Sequence, residues 1–431
     1  MSPSHVGDLT TPPSKRPCYP SSPPVLLHYA EYLRSVYANA PLTYPDKLSP
    51  EVNTPYIKLA LVKGTKVNNL QDANEFTHLT LEGDLDLIFQ HKEEIPMDKV
   101  FTLDNDSKLH LVIVEGAPGI GKSTFVLELC RQWLKMLSLQ PFSLVVLLKL
   151  RDKEIGLAEG VGDLLPWEDH PTDHATLVEE VRKRHGKGVL FLFDGFDEFP
   201  VHLRQTPSAS YVMKVLNGKA LPHATVLVTS RPSARLHLQP LMRSDSTKLI
   251  EVVGFGEEQI QQFAANVFGS ESKTLARFDD YLHVNPVIRS MMYNPLNCSI
   301  ITEVFSETWR SKKRVPHTQT QLYTEMALWR LSRYLSGVGD PLATALPDTL
   351  SDIPNDSPLY KQLFEIGKLA YEGKQNSTII FERIPENCTD LGLLIEHQAL
   401  YRRKKSITFN FFHLTMQEYM SAFYIAQLPA S

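Results

Sequence analysis

A chain of 431 residues with 42% hydrophobic residues is too long for one compact core and carries enough apolar surface for two to four domains. Its 44 basic and 49 acidic side chains leave a net charge of −5, so no chain-wide positive field attracts nucleic acid or anionic lipid, and nucleic acid is not expected as a partner. Cys18, Cys130, Cys298 and Cys388 stand far apart with no CxxC pair, which argues against a disulfide framework and against structural zinc. No apolar run reaches the length of a membrane span, and MSPSHVGDLTTPPSKRP lacks the apolar centre of a signal peptide. A cytoplasmic location is the expectation.

Residues 1–50 read as a flexible Pro/Ser-rich tail, interrupted by one apolar stretch, Val25 to Ala38, that predicts a helix before Pro41, Pro45 and Pro50 break the pattern. Residues 51–105 are expected to form a small helical lead-in. Over 106–253, short apolar runs alternate with helical segments: Leu111 to Val114, a helix from Lys122 to about Leu137, Leu144 to Leu150, a helix over Thr172 to His185, Val189 to Phe193, and Thr225 to Thr229. That alternation predicts an open α/β fold, a parallel sheet with helices on both faces.

After about Gly254 the apolar spacing becomes helical, as in Glu257 to Phe268 and Pro295 to Trp309, and residues 254–312 are expected to be an all-α domain. The last module, 313–431, runs from a helix over Gln319 to Leu335, through a Pro/Asp-rich loop over Gly337 to Pro358, to a helix over Gln362 to Tyr371. Two strands, ALYRR and SITFNFF, and a helix over Leu414 to Ala426 follow, a winged-helix order.

GAPGIGKS, Gly116 to Ser123, fits GxxxxGK[ST] between a strand and a helix, which is the context of a P-loop. Gly116, Ala117, Pro118, Gly119, Ile120 and Gly121 would curl backbone N–H groups around a diphosphate, and the helix that follows adds its N-terminal partial charge. Lys122 would neutralise phosphate oxygens, Ser123 would ligate Mg2+, and Thr124 continues the binding segment. VLFLFDGFDEF ends a buried strand in acids: Asp194 is placed toward the metal, while Asp197 and Glu198 suit orientation or deprotonation of an attacking water. TSRP closes the next strand, so Arg231 would emerge at the same sheet edge and sense a γ-phosphate. The blander readings are a solvated acidic turn and a surface arginine in an ion pair. On spacing alone, His413 is a core histidine, Pro295 a helix start and Tyr56 a packing aromatic. The basic runs Arg402 to Lys405 and Ser311 to Arg314 read as a solvated hairpin tip and linker.

The ordered set GAPGIGKST, FLFDGFDEF, TSRP, NPLNCSI, HTQTQLY and FFHLTMQEYMSAFYIA resembles the NACHT family of signal-transduction ATPases, in particular the NOD-like receptors of innate immunity, from about Pro55 to the C-terminus. The resemblance implies a P-loop nucleotide-binding domain, a helical domain and a winged-helix domain closed over ADP, opened by ATP exchange for self-association or association with related NACHT proteins, with slow hydrolysis. It implies that His413 touches the β-phosphate of ADP, that Pro295 lies beside adenine, and that Tyr56 and Ile57 cover the base. Family members usually carry an N-terminal effector domain and C-terminal repeats. The first 50 residues are too short and Pro-rich for a death fold, and Ser431 follows directly on the winged-helix segment.

Three other readings compete with a switch ATPase. A P-loop kinase or ATP-driven remodeller would turn over rapidly, but no acceptor-substrate site or pore-loop signature is visible. A scaffold that binds nucleotide only for stability would tolerate loss of Asp197 or Glu198. A DNA-binding winged helix would act through Arg402 to Lys405 with strong salt dependence.

Overall fold

The computed structural model describes residues 23–38, 57–64, 93–103, 109–117, 119–134, 142–165, 167, 171–205, 210–242, 245–311, 316–337, 346–376, 378, 381, 383–385, 391, 393–401, 404–411 and 414–428. Tyr56, Pro118 and His413 lie outside the described residues.

The centre of the molecule is a six-stranded sheet. Its strands are β1 (Ala60–Lys63), β2 (Leu111–Glu115), β3 (Leu144–Lys149), β4 (Val189–Asp194), β5 (Thr225–Ser230) and β6 (Thr247–Gly254), arranged β1-β6-β2-β5-β4-β3. β2 to β6 run parallel, in the register Leu111 opposite Val226 and Thr247, and Leu190 opposite Thr225. The inner strands are runs of Val, Ile, Leu and Phe with nearly every residue buried, because helices cover both faces and leave no side for polar alternation.

Two strands depart from the expectation. β6 follows TKLIEVVG, whose Lys248 and Glu251 interrupt the apolar run that marks a buried strand, and the structure buries Glu251 in an ion pair instead. Within the expected helical lead-in, Ala60–Lys63 is extended and pairs antiparallel with β6, Leu61 opposite Val252, so the sheet is mixed rather than wholly parallel. The physical reason is an edge: without β1, the outer N–H and C=O groups of β6 would stand unpaired.

Helix α1 (Pro24–Ala38) forms where the apolar stretch predicts it, and it docks on the core although its surroundings in sequence read as a flexible tail. Tyr29, Ala30, Leu33 and Tyr37 are buried in the core, against helix α2 (Lys122–Leu134), β3 and helix α3 (Pro171–Lys183). In α2 the buried set is Phe125, Val126, Leu129, Cys130 and Trp133, the one-sided spacing of an amphipathic helix against a sheet.

β5 leads through a short 3-10 turn, Pro232–Ala234, into helix α4 (Arg235–Met242). β6 ends at Gly254 and passes into helices α5 (Glu257–Phe268), α6 (Lys273–Val284), α7 (Pro286–Met291) and α8 (Pro295–Ser311). Their shared core contains Phe278, Tyr281, Ile301 and Phe305, with Phe278 and Phe305 edge to face at 5.0 Å. α6 is capped by Ser272, whose Oγ accepts from the N–H of Leu275. Beyond them lie helices α9 (Gln319–Gly337) and α10 (Pro358–Gln375), a two-stranded antiparallel sheet of β7 (Leu394–Tyr401) and β8 (Lys404–Phe411), and helix α11 (Leu414–Ala426) packed on α10. No helix among the described residues is long and apolar enough to cross a membrane.

Candidate nucleotide site

The parallel strands β2, β4 and β5 all end at one edge of the sheet, and every motif of the central region except the later NPL segment sits at such a strand end. Because β5 lies between β2 and β4, Thr229, Ser230 and Arg231 come between the P-loop and the acidic turn. This is the crevice at which open α/β sheets take ligands.

The loop after β2 has the backbone the motif demands. Gly119 has φ +74° and Gly121 φ +99°, left-handed values open to glycine at little cost. A Cβ on Gly121 would press on Leu59, just before β1, so the lead-in segment packs directly on the P-loop; Ile57, two residues earlier, is buried. Helix α2 begins at Lys122, with the N–H of Phe125 donating to the carbonyl of Gly121, so the helix N-terminus faces the loop. Lys122 Nζ donates to the carbonyls of Gly116 and Ala117 at 2.7 and 2.9 Å. Burial pushes its ammonium down to about 8, against the opposing pull of Asp197 and the added push of Arg231. Ile120 is buried, Ser123 is exposed, and Thr124 lies one residue further into α2.

On the acidic side, Asp194 Oδ1 accepts from the Thr229 hydroxyl at 2.7 Å, and that hydroxyl oxygen accepts from the N–H of Gly195 at 2.8 Å. Thr229 thereby fixes the last carboxylate of β4 to β5. Asp197 is engaged by Arg231 through both oxygens: Oδ2 lies 2.8 Å from Nε, and Oδ1 accepts from the backbone N–H at 3.2 Å. Arg231 therefore does pair with an acid, as the bland reading had it, but the acid is Asp197 and the pair lies within the site. Burial pushes the Glu198 carboxyl up to about 7; the positive charge of Arg151 opposes the shift, and Asp197 and Asp194 add to it. Among the described residues no cluster of three or more His, Cys, Asp or Glu forms a protein cage for a metal.

Pro295 opens α8 beside the P-loop. The N–H of Leu296 donates both to Asn294 Oδ1 at 3.0 Å and to the carbonyl of Gly119 at 3.3 Å. The structure thus brings together Gly116, Ala117, Gly119 to Thr124, Asp194, Asp197, Glu198, Arg231 and Pro295, whereas Ile57 is shown only to be buried near Leu59 in sequence. Sequence reasoning missed Leu59, Glu115, Arg235 and Asn294, and it quoted Thr229 without giving it a role. A carboxylate closing the otherwise apolar run LVIVE was a signal for Glu115, since a buried charge needs a partner.

A family model described as "NACHT domain" matches residues 110–271. Residues 110–271 are thus similar to the NACHT domain family. It is 25% identical over 353 residues to human (Homo sapiens) "NACHT, LRR and PYD domains-containing protein 3", covering 77% of this chain and 32% of the relative. The Rattus norvegicus protein of the same name is 25% identical over 399 residues, covering 87% and 36%. "NACHT, LRR and PYD domains-containing protein 1a allele 1" of Rattus norvegicus is 26% identical over 337 residues, covering 74% and 26%. The chain thus spans between about a quarter and a third of the length of these relatives. Among solved structures, Cdc6p from Pyrobaculum aerophilum is 11% identical with a TM-score of 0.31, covering 89% of this chain and 99% of that one. Orc1 of Aeropyrum pernix in complex with DNA is 12% identical with a TM-score of 0.34, covering 77% and 92%.

Proposed function

We propose that this NACHT-like chain is a nucleotide-operated switch of innate-immune signalling, closed over ADP at rest and opened by exchange for ATP, with slow hydrolysis that returns it. The observation that carries this reading is the hydrogen bond from the Leu296 N–H to the Gly119 carbonyl: the helical module grips the phosphate loop itself, so a change at the loop bears directly on how the modules pack.

In this reading the P-loop amides, Lys122 and the start of α2 hold the diphosphate, with Ser123 and Thr124 at the helix entrance. Mg2+ would be held by Ser123 and Asp194, and when bound it supplies charge neutralisation at the phosphates. Arg231 meets a γ-phosphate by leaving part of its pair with Asp197, which is how ATP differs from ADP for this chain. Glu198, once deprotonated, orients or activates the attacking water, with Asp197 beside it. Tyr56, Ile57 and Pro295 enclose the base, and His413, entering from a winged-helix domain over 313–431, reaches the β-phosphate. The helical domain over 254–312 lies between. The opened form self-associates or joins related NACHT proteins in the cytoplasm and passes the signal to a partner. A stand-alone P-loop enzyme with rapid turnover is the alternative.

The test is to purify the chain without added nucleotide, denature it and identify what is released, then repeat with Lys122→Ala and His413→Ala and measure ATP turnover. Stoichiometric ADP in the parent, lost in both variants, with turnover well below one per second, is the expected result. Release of no nucleotide, with ATP turned over at about 10 per second and indifference to His413, overturns the switch in favour of the enzyme.

A further inference from the structure

Strand β2 ends in a carboxylate that the proposed chemistry does not use. Glu115, directly before Gly116, is 1% exposed, and its Oε2 receives Nε and Nη2 of Arg235 at 2.9 and 2.5 Å. Nη2 of Arg235 also lies 3.4 Å from Oε1 of Glu251 on β6, itself 5% exposed. Oε1 of Glu115 has no hydrogen-bond partner among the described residues. Two buried carboxylates around one guanidinium is a costly core, and a packed apolar trio of similar volume would cost less. Burial holds the Glu115 carboxyl above its ordinary range, with Arg235 opposing. Such a cluster adds little net stability for its burial, but it ties three elements together in one geometry.

The three members sit on three elements that the switch must keep in step. Glu115 is covalently next to the P-loop, whose Gly116 carbonyl is held by Lys122 and whose Gly116 N–H donates to Ser230. Arg235 opens α4, joined to Arg231 by the single 3-10 turn Pro232–Ala234. Glu251 lies three residues before Gly254, after which the Phe255 N–H donates to the Tyr293 carbonyl, next to Asn294 and Pro295. Only a three-residue 3-10 turn, opened by Pro232, separates Arg231 from Arg235, and Arg235 bears on both the foot of the P-loop and the strand that leads to Gly254.

We propose that Arg235 is a positioning residue for phosphate recognition, holding the foot of the P-loop, the Arg231 segment and β6 in one register so that γ-phosphate contact at Arg231 and closure of the loop are energetically coupled. It acts through Glu115 and Glu251 and touches no nucleotide. This inference rests on the nucleotide site proposed above.

The experiment measures binding of fluorescent ADP and of a fluorescent non-hydrolysable ATP analogue to the full chain and to Lys122→Ala, Arg231→Leu, Arg235→Leu, Arg235→Lys and the double variant Arg231→Leu/Arg235→Leu. Arg235→Leu is expected to weaken the ATP analogue about tenfold and ADP by distinctly less, with part of the loss restored in Arg235→Lys. The double variant is expected to discriminate ATP from ADP no worse than Arg231→Leu alone, since the two residues act as one unit. A cluster with a merely structural role lowers the melting temperature but leaves the ATP-to-ADP affinity ratio at the parent value, and that result overturns the proposal. If Arg235→Leu does not fold, Glu251→Gln, which keeps the shape and removes one charge, takes its place: a ratio reduced several-fold supports the coupling, an unchanged ratio overturns it. Lys122→Ala separates the two levels. A parent that binds no better than Lys122→Ala refutes the nucleotide site and with it this inference. A parent that binds well beside a weak Lys122→Ala and an unchanged Arg235→Leu refutes the coupling alone.

Discussion

Two flanks of the same sheet are built on opposite principles. At the C-terminal edge of the parallel strands, Lys122, Asp194, Asp197, Glu198 and Arg231 are crowded together with shifted or mutually engaged charges. At the β3 flank, α1 seals the sheet with rings: Tyr29 lies 5.1 Å from Trp167 and stacks on Tyr32, and Arg34 lies over Trp133 at 5.0 Å. Tyr37 adds one polar fastening, donating to the Val145 carbonyl at 3.0 Å and accepting from the Leu147 N–H at 2.9 Å. The first flank gathers buried and mutually engaged charges where we propose that nucleotide binds. The second is held by packed rings and one polar fastening. The comparison teaches that burial of charge marks the working edge and burial of rings marks the structural one, and substitutions are expected to separate cleanly by readout.

The largest effect is expected at the aromatic flank. Tyr29 is fully buried against Tyr32 and Trp167, and Tyr29→Ala should cost about 4 kcal/mol of stability, the usual range for deleting a large core ring. Denaturant titration gives the loss, while the affinity of the remaining folded protein for ADP should equal the parent's. A fall in that affinity would show the two flanks to be coupled and break the comparison.

Lys122→Ala should do the reverse, weakening ADP about a hundredfold, or about 3 kcal/mol, with no loss of stability. The sign of its pH dependence follows from burial. The folded ammonium titrates at about 8 against 10.5 for an exposed lysine, so between those limits the unfolded chain binds more protons and stability rises with pH. The Ala variant should lack that rise. Phosphate favours the charged form, so the parent's ADP affinity should decline above pH 8, as calorimetry across pH 7 to 9.5 would reveal; a flat profile would mean Lys122 is not the phosphate cation.

Glu198 carries the next effect. Its folded carboxyl titrates at about 7 against 4.5, so the folded state binds more protons in that window, and its contribution to stability, full below about 4.5, is lost as pH rises through 7. As a base it must be deprotonated, so ATP hydrolysis should climb across pH 6 to 8. Glu198→Gln should lower hydrolysis about a hundredfold, abolish the climb and flatten the stability decline. Full hydrolysis in the Gln variant would assign the water to Asp197 instead.

What the sequence makes legible is whatever acts locally. Gly116 to Ser123 is contiguous, and its glycines, lysine and helix start state their own geometry. The strands from Leu111, Val189 and Thr225 show as unbroken apolar runs because both faces are covered. The rest depends on pairing over distance. Glu115 and Arg235 are 120 residues apart, and neither residue shows by itself that it is buried with the other. Lys248 and Glu251 disguise β6 as a loop, and β1 exists only because β6 offers it an edge. Helix α1 was legible as a helix but its docking was not, since Tyr29 and Tyr37 stand in a segment otherwise rich in proline and serine and their partners come from β3 and residues 133–167.

The smallest and sharpest test lies in a single oxygen. Among the described residues β3 is the outer strand of the sheet, so the Val145 carbonyl and Leu147 N–H meet no neighbouring strand there, and the Tyr37 hydroxyl serves both. Burial raises the phenol well above its ordinary value, so it stays a neutral donor across the usable pH range. Tyr37→Phe keeps the ring against Trp133 and removes only the fastening, leaving one half-buried donor and one buried acceptor to find water or go unpaired. The expected cost is about 1.5 kcal/mol, less than half that of Tyr29→Ala, because packing is retained. Hydrogen exchange at Leu147 should quicken while the P-loop amides keep the parent's rates. If the P-loop amides quicken too, the strain at β3 reaches the phosphate edge through β4, and the two flanks form one cooperative unit.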